Sequence, residues 1–392
     1  MRRRGRWLLV GLGGLVVAAV VVVLATRSSP RPRPRAGPPA AVLDPALAAP
    51  TGQVYGVNVN LLFNDFSYTP AEISGQLAAL RLTGATVARS DALWEATEPH
   101  APVDGRHTYD WSFDDLIAGS LAAHGLTWLP ILDYTAPWDQ SIPGQDHSPP
   151  RSDADYAAYA GAFAARYGPG GTFWRLHPSL PAEPVGAIEI WNEPDNPEFW
   201  VPHPDAAAYA ALYLAAREAI DAADPEIRVL VGGLTAPAAF LPDMLAAAPQ
   251  LRGHIDGVAI HPYGNPPLVL DRVRAARAAL VALGMATVPL YITEFGWTTS
   301  PPGALDYVPA SRRPGDILTT LGDLGHLDCG VAATLLYTWV TPEHTPSNSQ
   351  DWFGIADPTD PAQTTPDVQA FAGGLRDAAG PASGTVPAPC PG

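Results

Sequence analysis

The chain has 392 residues, 47% of them hydrophobic, enough for one large domain or two ordinary ones. All 23 basic residues are arginine, which excludes a Walker-A phosphate loop, a Schiff-base or pyridoxal lysine and a lysine general base. The formal net charge is −16, and residues 1–35 hold eight arginines and no acid. The remainder therefore carries 15 arginines against 39 acids, which excludes nucleic acid as a partner and disfavours a highly anionic polysaccharide.

The first element in the chain is a targeting segment at residues 1–26. Arg2, Arg3, Arg4 and Arg6 precede an uncharged apolar run over residues 7–25. As a helix that run spans about 28 Å, close to the hydrocarbon thickness of a bilayer. Its length favours an uncleaved signal anchor over a signal peptide, whose apolar core is roughly 7–15 residues, although Val23-Leu24-Ala25 offers a cleavage site. Arg27, Arg31, Arg33 and Arg35 balance the first four, so charge alone does not orient the segment. The expectation is a single-pass cell-membrane protein with an external domain, or a secreted one if the segment is cleaved. Residues 27–50, rich in Pro, Arg and Ala, read as an extended linker.

From residue 54 strand-like and helix-like patterns alternate. The predicted strands are 54–60, 85–89, 127–132, 185–191, 228–231, 255–260, 288–293 and 331–338. The helices that follow them are 70–82, 111–123, 153–167, 205–223, 237–248, 267–283, 315–324 and 366–375. Alternation of this kind implies a parallel sheet with right-handed crossovers. Eight units predict an α/β fold, a single (β/α)8 TIM barrel over residues 51–380 with a tail at 381–392. An open doubly wound sheet competes, but no Gly-x-Gly-x-x-Gly follows the first strand.

Two strand ends carry the chemistry. The apolar run 187–191 leads through Asn192 to Glu193-Pro194, and the run 289–292 leads to Glu294-Phe295-Gly296. A carboxylate at the end of a buried strand is costly and packs poorly. One such glutamate could close a turn. Two, after the fourth and seventh strands of a barrel, face each other across its mouth as glycoside hydrolysis requires.

Trp191-Asn192-Glu193-Pro194, with Glu294 after the seventh strand, resembles the retaining (β/α)8 glycosidases of clan A, above all glycoside hydrolase family 39 and family 5-like enzymes. The resemblance covers residues 51–380 and implies Glu193 as acid/base and Glu294 as nucleophile. Arg89, which also matches the resembled families, reads as orienting and ionising Glu294, with a structural salt bridge as the alternative. Asn192 reads as bonding the sugar 2-hydroxyl or else stabilising a turn, Tyr263 as bonding Glu294, and His261 as lining the sugar subsite or else as a satisfied loop histidine. Glu189 reads as a buried supporting carboxylate. Asn58 and Asp133, ending the first and third strands, are weaker polar candidates. Sugar C–H faces pack on aromatic rings, so Trp339 is the expected floor of the central subsite. Trp94, Tyr134, Trp138, Trp200, Trp297 and Trp352 are further platform candidates, with core or loop anchoring as the alternative for each.

The sequence departs from those families in two respects. Only about 50 residues follow the eighth strand, so no accessory β-domain is expected after it, and the lack of lysine argues against clamping an acidic sugar. Neutral poly- or oligosaccharides are the expected substrates. No Gly-x-Ser-x-Gly elbow occurs, and the ten histidines lack metal-ligand spacing, so neither metal nor other cofactor is expected. Gly232-Gly233 after the fifth strand reads as a close-packed turn rather than a phosphate loop. In an exported protein Cys329 and Cys390 can pair, tying the tail down; the alternative is a buried free Cys329. Two rival readings use the same barrel: a non-catalytic carbohydrate-binding protein, and a transglycosylase working with the same glutamates. No obligate protein partner is expected.

Overall fold

The structure, a computed structural model, describes residues 53–64, 67–380 and 390. The expected membrane segment at residues 7–25, the linker and most of the tail lie outside these. Among the described residues no helix is long and apolar enough to cross a membrane.

Eight parallel strands close into a barrel in chain order: β1 Val54–Asn58, β2 Val87–Leu93, β3 Thr127–Asp133, β4 Ala187–Ile190, β5 Arg228–Leu234, β6 Gly257–Ile260, β7 Leu290–Ile292 and β8 Val331–Leu336. Closure is made by β1 against β8, with Val54 opposite Ala333 and Val57 opposite Leu336. A closed parallel sheet leaves no edge, and helices cover its outer face. Period-two alternation sorts the side chains. Val87, Leu129, Ala187, Leu230, Ala259, Tyr291, Ala333 and Leu335 fill the barrel interior. Their neighbours face outward; Trp128, for example, packs edge-on against Phe163 and Tyr167 of the helix Asp153–Tyr167.

The helices begin where the sequence offers caps. Thr69 and Glu72 form a reciprocal capping box ahead of Pro70–Leu82, and Ser152, Asp205, Asn265 and Thr365 cap Asp153–Tyr167, Ala206–Ala223, Pro266–Ala282 and Pro366–Ala379. Buried tyrosines tie helices to strand ends. Tyr156 donates to Leu132 O at 2.5 Å, Tyr159 to Ala92 O at 2.8 Å and Tyr213 to Val229 O at 2.8 Å. Tyr209 donates to Ile190 O at 2.7 Å and accepts from Gly232 N at 2.8 Å, joining the ends of β4 and β5 beneath the mouth.

One boundary differs from expectation in a way that matters. The second strand was expected to end at Arg89, where the apolar run stops. Instead β2 continues to Leu93, with Ser90 opposite Pro130 and Leu93 opposite Asp133, so Arg89 is its third residue. Inward positions near the mouth of the barrel are polar, and an apolar-run criterion truncates the strand there. Cys329 and Cys390 are joined as a disulfide with Cα atoms 5.1 Å apart.

Candidate active site

The interior of the barrel changes from apolar to charged one layer above Val87 and Ala187. Two residues further along each strand the inward positions are Arg89 and Glu189, both fully buried. Arg89 Nε donates to Glu189 Oε2 at 2.8 Å and Nη2 to Glu189 Oε1 at 3.0 Å. Nη2 also donates to Asn192 Oδ1 at 3.0 Å, and Nη1 to Asn58 Oδ1 at 2.8 Å and Glu294 Oε1 at 2.6 Å. These five bonds match the five N–H donors of a guanidinium. Glu189 is completed by Gly233 N at 2.7 Å, and Asn58 Nδ2 donates to Thr293 O at 2.9 Å. A buried ion pair costs desolvation, and here a saturated set of hydrogen bonds offsets that cost.

Glu294 stands two residues beyond β7 with 8% of its surface exposed. Its second oxygen accepts from Tyr263 Oη at 2.7 Å. Burial alone would raise its pKa, but His261, Arg89 and the Tyr263 bond outweigh burial and hold the carboxyl below its usual range. Glu294 is thus kept ionised.

Glu193 stands three residues beyond β4, with 6% of its surface exposed. The backbone at Trp191 and Glu193 takes φ of 65° and 46°, the left-handed region that costs bulky residues of order 1–3 kcal/mol. Packing enforces it. The Trp191 indole donates to Phe199 O at 2.7 Å, and a side chain at Gly232 would stand 2.1 Å from Trp191 O. Glu193 Oε1 lies 2.6 Å from His261 Nδ1, and Oε2 accepts from Asn196 Nδ2 at 2.6 Å.

His261 connects the two glutamates, with Nδ1 also 3.7 Å from Glu294 Oε2 and Nε2 3.1 Å from Thr293 Oγ1. Burial disfavours the imidazolium, but Glu294 and Glu193 more than compensate, and its pKa is raised. Space for the ring exists because residue 233 is glycine: a Cβ there would lie 2.0 Å from His261 Nε2. Glu193, His261 and Glu294 present ligand atoms within 4.8 Å of one another, the grouping of this kind found among the described residues. By distance alone they could hold a metal ion. Each atom already has a polar partner: Arg89 and Tyr263 on Glu294, and His261 and Asn196 on Glu193.

The aromatic candidates separate into two groups. Tyr134 is half-buried beside the site, its ring edge-on to Trp191 at 5.2 Å. Trp138 is also half-buried but donates to Glu98 O and packs on Trp94, away from the glutamates. Trp94, Trp200 and Trp297 are buried core residues; Trp94 bonds Glu98 and Trp297 bonds Gly264 O. The half-buried Trp352 bonds Thr345 O and packs on His344. Trp339 is the main correction. It is 1% exposed, and its indole donates to Gln76 Oε1 of the helix Pro70–Leu82 at 2.8 Å, so it packs outside the barrel and floors no subsite.

The ring that takes the expected place of Trp339 is Tyr337, half-buried and packed edge-on to Tyr263 and Phe353 at 6.4 and 5.4 Å. Burial, then the charge of Glu294, raises its pKa. Its in-phase spacing from the inward Ala333 and Leu335 was the available signal. Asn196, three residues after Glu193, was also missed, as was Asp91, two residues after Arg89 on the same inward face.

No protein-family model matches the chain, and no curated protein matches it. The barrel is similar to solved glycoside hydrolase structures. A GH39 enzyme from Xanthomonas axonopodis pv. citri superposes with a TM-score of 0.63 at 22% identity, covering 82% of this chain and 65% of that one. A monomeric β-xylosidase from Caulobacter crescentus CB15 gives 0.62 at 22% identity, covering 82% and 67%. An endo-1,4-β-mannanase from Rhizomucor miehei gives 0.56 at 15% identity, covering 84% and 95%. The chain thus spans about two thirds of the length of the first two. At these identities the likeness establishes the shared (β/α)8 fold.

Proposed function

We propose that the protein is a retaining glycoside hydrolase that cleaves O-glycosidic bonds of a poly- or oligosaccharide by double displacement. The observation that carries this reading is the glutamate pair. Glu193 and Glu294 bring oxygens within 4.8 Å of each other, against about 5–5.5 Å between carboxyl groups in retaining enzymes and roughly 6.5–9.5 Å in inverting ones. That close approach falls on the retaining side of the two ranges.

The surroundings suit different roles for the two acids. Glu294, held ionised by His261, Arg89 and Tyr263, is placed to attack the anomeric carbon and form a glycosyl-enzyme ester. Glu193, hydrogen-bonded by His261 and Asn196 and without a guanidinium partner, is placed to protonate the leaving oxygen. It then takes a proton from the water that opens the ester. Asn192, anchored through Oδ1 to Arg89, is placed for the 2-hydroxyl, and Tyr337 and Tyr134 flank the reacting sugar.

Residues 7–25 support an external location, on a membrane anchor or after release from it. The reaction is tested by following hydrolysis of a susceptible glycoside by proton NMR. The first-formed product is expected to keep the anomeric configuration of the substrate; an inverted first product would rule out double displacement. Transfer products longer than the substrate would favour the transglycosylase reading, which uses the same pair.

A further inference from the structure

The β2–β3 side of the mouth carries a second acidic pair that the reaction does not use. Asp91 lies two residues beyond Arg89 and Asp133 two beyond Ile131, in phase with the inward Val87 and Leu129. Asp91 is half-buried and accepts from Asn60 Nδ2 at 2.8 Å and from Asn64 Nδ2. Asp133 is fully buried, and neither of its oxygens has a hydrogen-bond partner among the described residues.

A buried carboxyl without partners is costly, and a second carboxyl on the adjacent strand adds to the cost. Burial, then the charge of Asp91, pushes Asp133 well above the ordinary carboxyl range, and burial raises Asp91 to about 6. The cation that bears on both is Arg89, whose N–H groups are already committed to Glu189, Asn58, Glu294 and Asn192. Half-buried Glu95 and Asp146 extend the same sign along this wall. Packing explains none of these acids, because an apolar or amide side chain of similar size would fill each position at lower cost. A positively charged group brought by the substrate would relieve the whole set.

Resting on the glycoside hydrolase reading, we propose that Asp91, backed by the buried Asp133, recognises the ammonium group of an amino sugar, so that the preferred substrate is a glycan with free amino groups. The lack of lysine had suggested neutral sugars, and the placement of these acids points instead to cationic ones. Asp91 makes the contact, being the half-buried member. Asp133 does not touch the sugar: burial holds its carboxyl protonated until a cation arrives, and its ionisation beside the bound ammonium, with the proton released to solvent, strengthens the preference.

The test measures binding by calorimetry with the full chain carrying Glu294→Gln, so that turnover does not interfere. The probes are β-1,4-linked glucosamine oligosaccharides, their N-acetylated forms and the matching glucose oligosaccharides, which share a backbone and differ at C2. Free-amino forms are expected to bind at least tenfold more tightly than either neutral form. Adding Asp91→Asn, or separately the isosteric Asp133→Asn, is expected to reduce that ratio to below threefold, with folding checked by near-ultraviolet circular dichroism. Equal affinity for the three probes, or a ratio unchanged in a folded Asp91→Asn variant, would overturn the proposal. So would saturable binding of calcium or magnesium chloride that Asp91→Asn abolishes, which would assign the pair to a metal ion. Hydrolysis by the unmodified chain is followed on the same panel. An amino preference without turnover would remove the hydrolase reading and leave this one standing; turnover of neutral forms without that preference would do the reverse.

Discussion

Glu294 and Glu193 are chemically identical residues in different surroundings, and the proposed mechanism gives them different work. The difference is testable through Tyr263, whose hydroxyl bonds Glu294 and helps to hold it ionised against burial. A carboxyl with a lowered pKa remains ionised until the pH falls through that lowered value. The acid limb of kcat/KM should therefore lie below the ordinary glutamate value of 4.5. Tyr263→Phe removes one stabilising bond from the charged form and is expected to move that limb upward while lowering kcat/KM about 10–100-fold. An acid limb that does not move would mean that Tyr263 has no hold on Glu294. Much of this layer was legible from strand ends alone, since the structure gathers Arg89, Asn192, Glu193, His261, Tyr263 and Glu294 around one point. Asn196 and Asp91 were not legible, because an Asn in a turn and an Asp after an Arg have ordinary explanations until their neighbours are known.

Secondary elements position these residues, and their ends carry the strain. Tyr209, from the helix Ala206–Ala223, satisfies both Ile190 O and Gly232 N where β4 and β5 open into the site. Tyr209→Phe leaves two buried backbone groups unpaired and is expected to cost about 1–3 kcal/mol, read as a lower melting temperature by calorimetry. A melting temperature equal to that of the unaltered chain would show that the tyrosine tie does no more than pack. Helices such as Pro70–Leu82 and Asp153–Tyr167 were predicted to the residue, because capping residues and proline mark their starts. The short helices Asn60–Phe63, Trp94–Thr97 and Thr172–Leu176 were not predicted, since one turn of helix is too short to show a period. Trp339 failed for a related reason. Counting from the strand end placed it over the site, but the chain turns after Leu336 and sends its ring to Gln76.

At the scale of the whole molecule, the barrel is closed by β1 against β8 and reinforced by Cys329–Cys390, which spans 61 residues. Cross-linking a loop of that length stabilises by about 4 kcal/mol in the chain-entropy model. Replacing both cysteines with alanine, or adding reductant, is expected to lower the melting temperature by several degrees. An identical melting curve under oxidising and reducing conditions would show that the tail contributes nothing. Eight strand–helix units were legible because each strand is buried on both faces and reads as a nearly continuous apolar run. The polar upper layer of the barrel breaks those runs, which is why β2 was cut short at Arg89, the residue that organises the site.

The central claim is that Glu294 attacks and Glu193 transfers the proton, and chemical rescue with an aryl glycoside of an accepted sugar tests it most directly. Glu294→Gly is expected to be inactive alone and to regain turnover with azide, yielding a glycosyl azide of inverted anomeric configuration. Glu193→Ala under the same conditions is expected to yield the azide of retained configuration. Normal turnover by Glu294→Gly without azide, or the two stereochemical outcomes exchanged, would contradict the assignment.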